Sequence, residues 1–120
     1  MTRIPEPAAP TASAVRRGEV WWVDLGPTRG SKIRKTCSAV VLTADALNQV
    51  RRTVVVVPLP IGLSPRPPIV VDTPSAGPGN VAMCDQVRAV SKNRLTRCTG
   101  QLTALDLHAI EAGVRAVLEL

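Results

Sequence analysis

Two separated groups of residues in this chain could do chemistry on a phosphate diester. The first is the run Arg29-Gly30-Ser31-Lys32-Ile33-Arg34-Lys35-Thr36-Cys37, and the second is Asp85-Gln86-Val87-Arg88. Cleaving such a link requires fixed positive charge for the crowded phosphorane, an acceptor for the attacking proton and a donor for the leaving oxygen. Arginine stays protonated, so Arg34 can hold and stabilise but makes a poor base. Lys35 adds a second charge beside it, and Asp85 can accept a proton or orient another group. A sharper hypothesis gives Cys37, next to these cations, a lowered pKa and a thiolate's role in proton transfer. The competing reading makes it an inert small residue at the start of a strand.

The catalytic candidates are therefore Arg34, Lys35, Cys37 and Asp85. Arg29, Ser31, Lys32, Thr36, Gln86 and Arg88 are the candidate contacts to a polyanion, because a Gly-Ser bend can also offer backbone N–H groups to phosphate. Asp85 and Arg88 could instead form a structural pair tying two strands together. Three or four phosphate contacts would give a log–log salt slope of roughly −2 to −3.

Composition narrows the options. The chain has 15 Lys+Arg against 9 Asp+Glu, a net charge of +6. Six of the cations (Arg16, Arg17, Arg29, Lys32, Arg34, Lys35) fall in residues 16–35, where Glu19 and Asp24 are the only acids. Clustering of this kind points to a polyanionic partner such as nucleic acid or an acidic protein segment. His108 is the only histidine, which rules out a His-pair ribonuclease mechanism. Cys37, Cys84 and Cys98 show no metal-ligand spacing, so neither a metal site nor a cofactor is expected. Reduced thiols suit the cytoplasm, and neither a signal peptide nor an apolar run of membrane-spanning length is visible.

These residues must be positioned by a small β domain. With 120 residues, no Phe or Tyr and only two Trp, the core has to come from Val, Leu, Ile and Ala, which favours strands. Residues 1–16, rich in Pro, Ala, Thr and Ser, read as a flexible tail ahead of one domain at 17–120. Strands are predicted at 20–25, 38–43, 53–59, 69–71, within 81–90 and at 98–102, with a helical turn at 44–48. Trp21 and Trp22 must point to opposite faces of the first strand. The unbroken Val54-Val55-Val56-Val57 run predicts a mid-sheet strand buried on both faces, and Pro58 and Pro60 mark its exit. The basic run 31–37 falls between strands as a connector. Thr103 is a natural N-cap with Asp106 three residues on, followed by the helical stripe Leu107, Ile110, Val114 and Val117. The predicted architecture is mainly β with a C-terminal helix, a small, strongly twisted antiparallel barrel or sheet.

Several signposts occur together and in order. They are Arg17-Gly18-Glu19-Val20-Trp21, then Val23-Asp24-Leu25 followed by Pro27-Thr28 and Gly30-Ser31, then Ala39-Val40-Val41-Leu42, and the valine strand ending at Pro58. Asp85-Gln86-Val87-Arg88, Arg94-Leu95 and Gly100 follow. In this the chain resembles the MazF/PemK/Kid endoribonuclease toxins of bacterial toxin–antitoxin pairs, over roughly residues 17 to 120. The resemblance implies an SH3-like antiparallel β-barrel of the Kid/CcdB type, working as a homodimer. It further implies metal-independent, sequence-selective cleavage of single-stranded mRNA to 2′,3′-cyclic phosphate and 5′-OH ends. A MazE-like antitoxin with an acidic, disordered tail would hold the toxin in check. An ungapped match places Lys32 where the family usually has Glu, Cys37-Ser38 where it has Arg-Pro, and Pro60 where it has Thr. Those substitutions keep a second function open, a non-catalytic or CcdB-like binding protein on the same fold.

Overall fold

The computed structural model describes residues 15–27 and 34–120. Its strands are β1 (Glu19–Pro27), β2 (Arg34–Val41), β3 (Thr53–Pro58), β4 (Val70–Asp72), β5 (Val81–Met83), β6 (Arg88–Ser91) and β7 (Leu95–Gln101). A short helix α1 (Asp45–Val50) precedes β3, and α2 (Ala104–Leu118) ends the chain. Five strands form one antiparallel sheet in the order β6-β3-β2-β1-β7, while β4 and β5 pair separately.

The sheet has to curl. Its two edge strands, β6 and β7, are consecutive in the chain and joined only by a 3-10 turn at Lys92–Arg94. The edges of a flat five-stranded sheet would lie about 19 Å apart. Four Cα steps reach at most about 14 Å, and a turn shortens that further.

Alternation then sorts the strand residues onto two cores. Inside the curl, Trp21 and Val23 of β1 pack with Ala39 and Val41 of β2, Val54 and Val56 of β3, Val90 and Leu95. On the outer face, Val20, Val40 and Val57 meet Leu59, Val71, Ala82, Cys84, Leu102 and Ile110 of α2. The valine strand is thus buried on both sides of the sheet, as its lack of polar alternation predicted. Trp21 is buried and Trp22 is 43% exposed, so the two indoles do face opposite ways.

Helix α2 seals the outer core along the predicted stripe, with Ile110 fully buried and Leu107, Val114 and Val117 around it. Thr103 caps it, its hydroxyl accepting from the Asp106 N–H at 3.2 Å. The Asp106 carboxylate does not close the box on Thr103. It accepts instead from the backbone N–H (2.8 Å) and hydroxyl of Ser75, whose Oγ in turn accepts from the Thr103 N–H at 3.1 Å. Ser75 therefore ties the loop after β4 to the start of α2. Gly113 lets the helix approach closely, since a Cβ there would stand 2.6 Å from Cys84 Sγ and 2.7 Å from the Pro68 carbonyl oxygen.

Two sequence expectations are corrected. The expected tail includes Val15, yet Val15 is buried in the inner core at 3% exposure, so the domain begins before Arg17. Residues 1–14 lie outside the described residues. The expected connector at 34–37 is strand. Cross-strand pairing of Val23 with Cys37, Asp24 with Thr36 and Pro27 with Arg34 overrides the weak strand preference of these basic residues.

Candidate nucleic-acid interface

The inward-facing rows of the curled sheet do not stay apolar to their ends. On β1 the row Trp21, Val23 continues to Leu25, and on β2 the row Val41, Ala39 continues to Cys37 and Lys35. On β3, Val54 and Val56 lead to Pro58, and Pro60 follows just past the strand end. On β6, Val90 leads back to Arg88. Those terminal residues, with Met83, Gln86 and Val87 from the segment before β6, line one cleft of about 420 Å³. It lies at the end of the curled sheet's interior, a place where the apolar filling gives way to two cations, an amide and a thiol.

Members of the two separated groups share this cleft, but Asp85 is not among them. Lys35, Cys37, Gln86 and Arg88 share the cleft. Lys35 is set by strand pairing rather than by a mobile connector, because it lies two residues before Cys37 on β2. Thr36 is exposed, and alternation turns it to the opposite face. Asp85 is exposed on the 3-10 turn Cys84–Gln86 and does not line the cleft, although its neighbour Gln86 does. Arg34 is described only through its backbone pairing with Pro27. Arg29, Ser31 and Lys32 lie outside the described residues.

Two electrostatic expectations change. Burial pushes the Cys37 thiol up, and the nearby charges of Lys35 and Arg88 offset this only in part, so its pKa is raised and not lowered. Partial desolvation outweighs the cations because Cys37 sits where the apolar row ends, not in open solvent. Near neutral pH the group is a thiol. The alternative of an Asp85–Arg88 strand tie is not realised either. The ion pairs among the described residues are Arg16–Asp45 and Arg17–Glu111, both at the opposite, N-terminal end of β1. Arg88 is left with its charge uncompensated by any such pair, and so is Lys35.

Sequence reasoning missed the apolar walls Leu25, Pro58, Met83 and Val87, which only strand register reveals. It also missed Arg94. A second cleft of about 230 Å³, lined by Leu25, Arg88, Ala89, Val90, Ser91 and Arg94, adjoins the first through Leu25 and Arg88.

Comparison with known proteins agrees with this frame. Residues 16–118 match the family model for the PemK-like, MazF-like toxin of type II toxin–antitoxin systems. The endoribonuclease MazF9 of Mycobacterium tuberculosis is 30% identical over 115 residues, covering 88% of this chain and 98% of that protein. Over a shorter stretch of 50 residues, 42% of this chain and 38% of the relative, the endoribonuclease PemK of Escherichia coli is 42% identical. Among solved structures, a MazE–MazF complex from Deinococcus radiodurans superposes with a TM-score of 0.77 at 20% identity, covering 88% of this chain and 96% of that one. A mycobacterial endoribonuclease in complex with its cognate antitoxin gives 0.74 at 22% identity, covering 89% and 97%. An antiparallel sheet with a C-terminal helix, a cationic cleft at the sheet's open end and a match over nearly the whole length define one class of protein. The chain belongs to the MazF/PemK-like toxins of type II toxin–antitoxin systems.

Proposed function

We propose that this toxin is an endoribonuclease that cuts single-stranded mRNA by attack of the ribose 2′-hydroxyl on the adjacent phosphorus, without a metal ion, leaving 2′,3′-cyclic phosphate and 5′-OH ends. One observation carries the reading: Lys35 and Arg88, from strands far apart in sequence, line a single cleft with Gln86 and Cys37. That donor set suits a phosphate and not a divalent cation, since among the described residues the lining contains no carboxylate and no imidazole. The two cations neutralise charge that grows on the non-bridging oxygens as the phosphorane forms, where fixed charge is worth most. Gln86 offers both a donor and an acceptor to hold a base or the ribose. Cys37, kept as a thiol by burial, serves as a proton donor toward the leaving 5′-oxygen and not as a thiolate. Asp85, exposed on the turn that carries Gln86 and outside the cleft's lining, is the proposed acceptor for the 2′-proton.

In this reading Arg29, Ser31, Lys32 and Arg34 contact the RNA strand on either side of the cut. Cutting at a short sequence word, homodimer assembly, a cytoplasmic site of action and restraint by a MazE-like antitoxin with an acidic tail belong to the same proposal. Solved relatives have been crystallised with their antitoxins, and an acidic segment complements the charge here. A second reading is favoured by Pro60. It lines the cleft where the family usually has Thr, so a protein that binds without cutting is the competing outcome.

Incubation of the purified protein with mixed RNA in EDTA separates the two. Discrete fragments ending in 2′,3′-cyclic phosphate are expected, and they should disappear with Asp85→Ala. Intact RNA that is nonetheless retained would establish binding without cleavage.

A further inference from the structure

Arg94 is the strongest unassigned feature next to the cleft. It closes the 3-10 turn Lys92–Arg94, and that turn is anchored at its other end. Lys92 is buried, its ammonium donates to the Asn48 carbonyl, and its backbone N–H donates to the Arg52 carbonyl at 2.9 Å. The backbone beneath Arg94 is therefore held in place.

The guanidinium has a defined neighbour. It lies over Gly26, where a Cβ would stand 3.1 Å from Arg94 Nη1. Gly26 has φ of +84°, and its N–H donates to the Asp24 carboxylate at 2.8 Å, at the irregularity where the β1–β2 register shifts. A side chain at position 26 would be strained and would crowd the guanidinium, so glycine both makes the bend and leaves room for Arg94. Neither ion pair among the described residues uses Arg94. Its charge faces a cleft whose wall is continuous, through Leu25 and Arg88, with the proposed cutting site.

We propose that Arg94 is a positioning residue that holds the phosphate of a nucleotide flanking the scissile link, so that the RNA strand runs from the cutting cleft past Arg88 into the smaller cleft. The inference rests on the endoribonuclease reading and adds a direction and a subsite to it. A strand occupying both clefts would meet Arg88 at their shared wall and Arg94 beyond, giving two cations in sequence along one backbone. Such a residue acts on binding and register and does not touch the reacting atoms.

The test uses a short RNA containing one cut site, in versions that each carry a single neutral methylphosphonate at one flanking linkage. With the wild type, neutralising one particular flanking phosphate is expected to lower kcat/KM about tenfold, the usual worth of a charge-assisted hydrogen bond. Arg94→Ala should lower kcat/KM on the unmodified RNA by a similar factor, through KM with kcat nearly unchanged. It should also lose its sensitivity to that one linkage while keeping sensitivity to the others. Arg94→Lys, which preserves the charge, should recover most of the loss. Binding of an RNA made uncleavable by a 2′-deoxy sugar at the cut should show a log–log salt slope shallower by about 0.7 in Arg94→Ala. A wild type that cuts RNA while Arg94→Ala matches it, or remains equally sensitive to every linkage, overturns the subsite alone. A wild type that neither cuts nor retains RNA overturns the nuclease reading and the subsite with it.

Discussion

The two cores on either side of the sheet are built by the same rule and end differently. Both draw on alternate residues of the same strands; valine dominates the inner one, and leucine, isoleucine, alanine and cysteine join it in the outer. The outer core is closed: α2 lies across it, Ile110 is inaccessible to solvent, and the Ser75–Asp106–Thr103 links tie the helix start to the loop after β4. Among the described residues, no helix lies across the inner core. Its rows run on beyond the apolar residues to Lys35, Cys37 and Arg88, and the cleft is what remains where the filling stops. If the proposed chemistry sits at the open end, substitutions there and in the closed outer core should have separable effects.

The largest expected effect is at the open end. Arg88→Ala should lower kcat roughly 100- to 1000-fold, as expected for losing a group that stabilises transition-state charge. Its thermal midpoint should stay close to wild type, since exposed positions usually change stability by no more than about 0.5 kcal/mol. Loss of both activity and folding would show that the regions are not independent. Ile110→Ala makes the reciprocal case. A cavity in the closed core should cost about 3 kcal/mol and lower the melting temperature by roughly 10–20 °C, with RNA cleavage at 25 °C unchanged. Calorimetry and the cleavage assay on the same preparations check both variants.

The smallest effect concerns the thiols, which report on where each core is open. Burial raises the pKa of all three cysteines, for Cys84 to about 11, with Asp85 pushing in the same direction. A raised value means less thiolate at any given pH, so alkylation by iodoacetamide at pH 8 should be slower at each than for a free cysteine. Cys84, in the closed core, should stay unmodified while the protein is folded, whereas exposed Cys98 and half-buried Cys37 react slowly. RNA bound in the cleft should protect Cys37 and leave Cys98 unchanged, which mass spectrometry of the digested protein can resolve. The Cys84 shift also makes stability decline as pH rises from about 9 toward 11, because the unfolded thiol ionises first.

Local patterns were legible in the sequence, and long-range register was not. The paired tryptophans, the valine run buried on both faces and the stripe of α2 all depend on neighbours within a few residues, and each was readable from spacing. Lys35, Cys37, Gln86 and Arg88 were singled out by residue type. That they share one cleft depends on which strands pair and in what register. β2 begins at Arg34 and not near Ser38 because β1 extends far enough to pair with it, past a shift between Asp24 and Pro27. Basic side chains suggest a solvated turn when read alone. Leu25, Pro58 and Met83 look like ordinary apolar residues until topology brings them around one mouth. Ser75 was invisible for the same reason, since its contact with Asp106 spans 31 positions.

The link between β6 and β7 has a mechanical consequence. Three residues, one of them a lysine plugged into the carbonyl of Asn48, tether the two edge strands of the sheet. A link that short cannot span the edges of a flattened sheet, so the curl persists for as long as the turn stays intact.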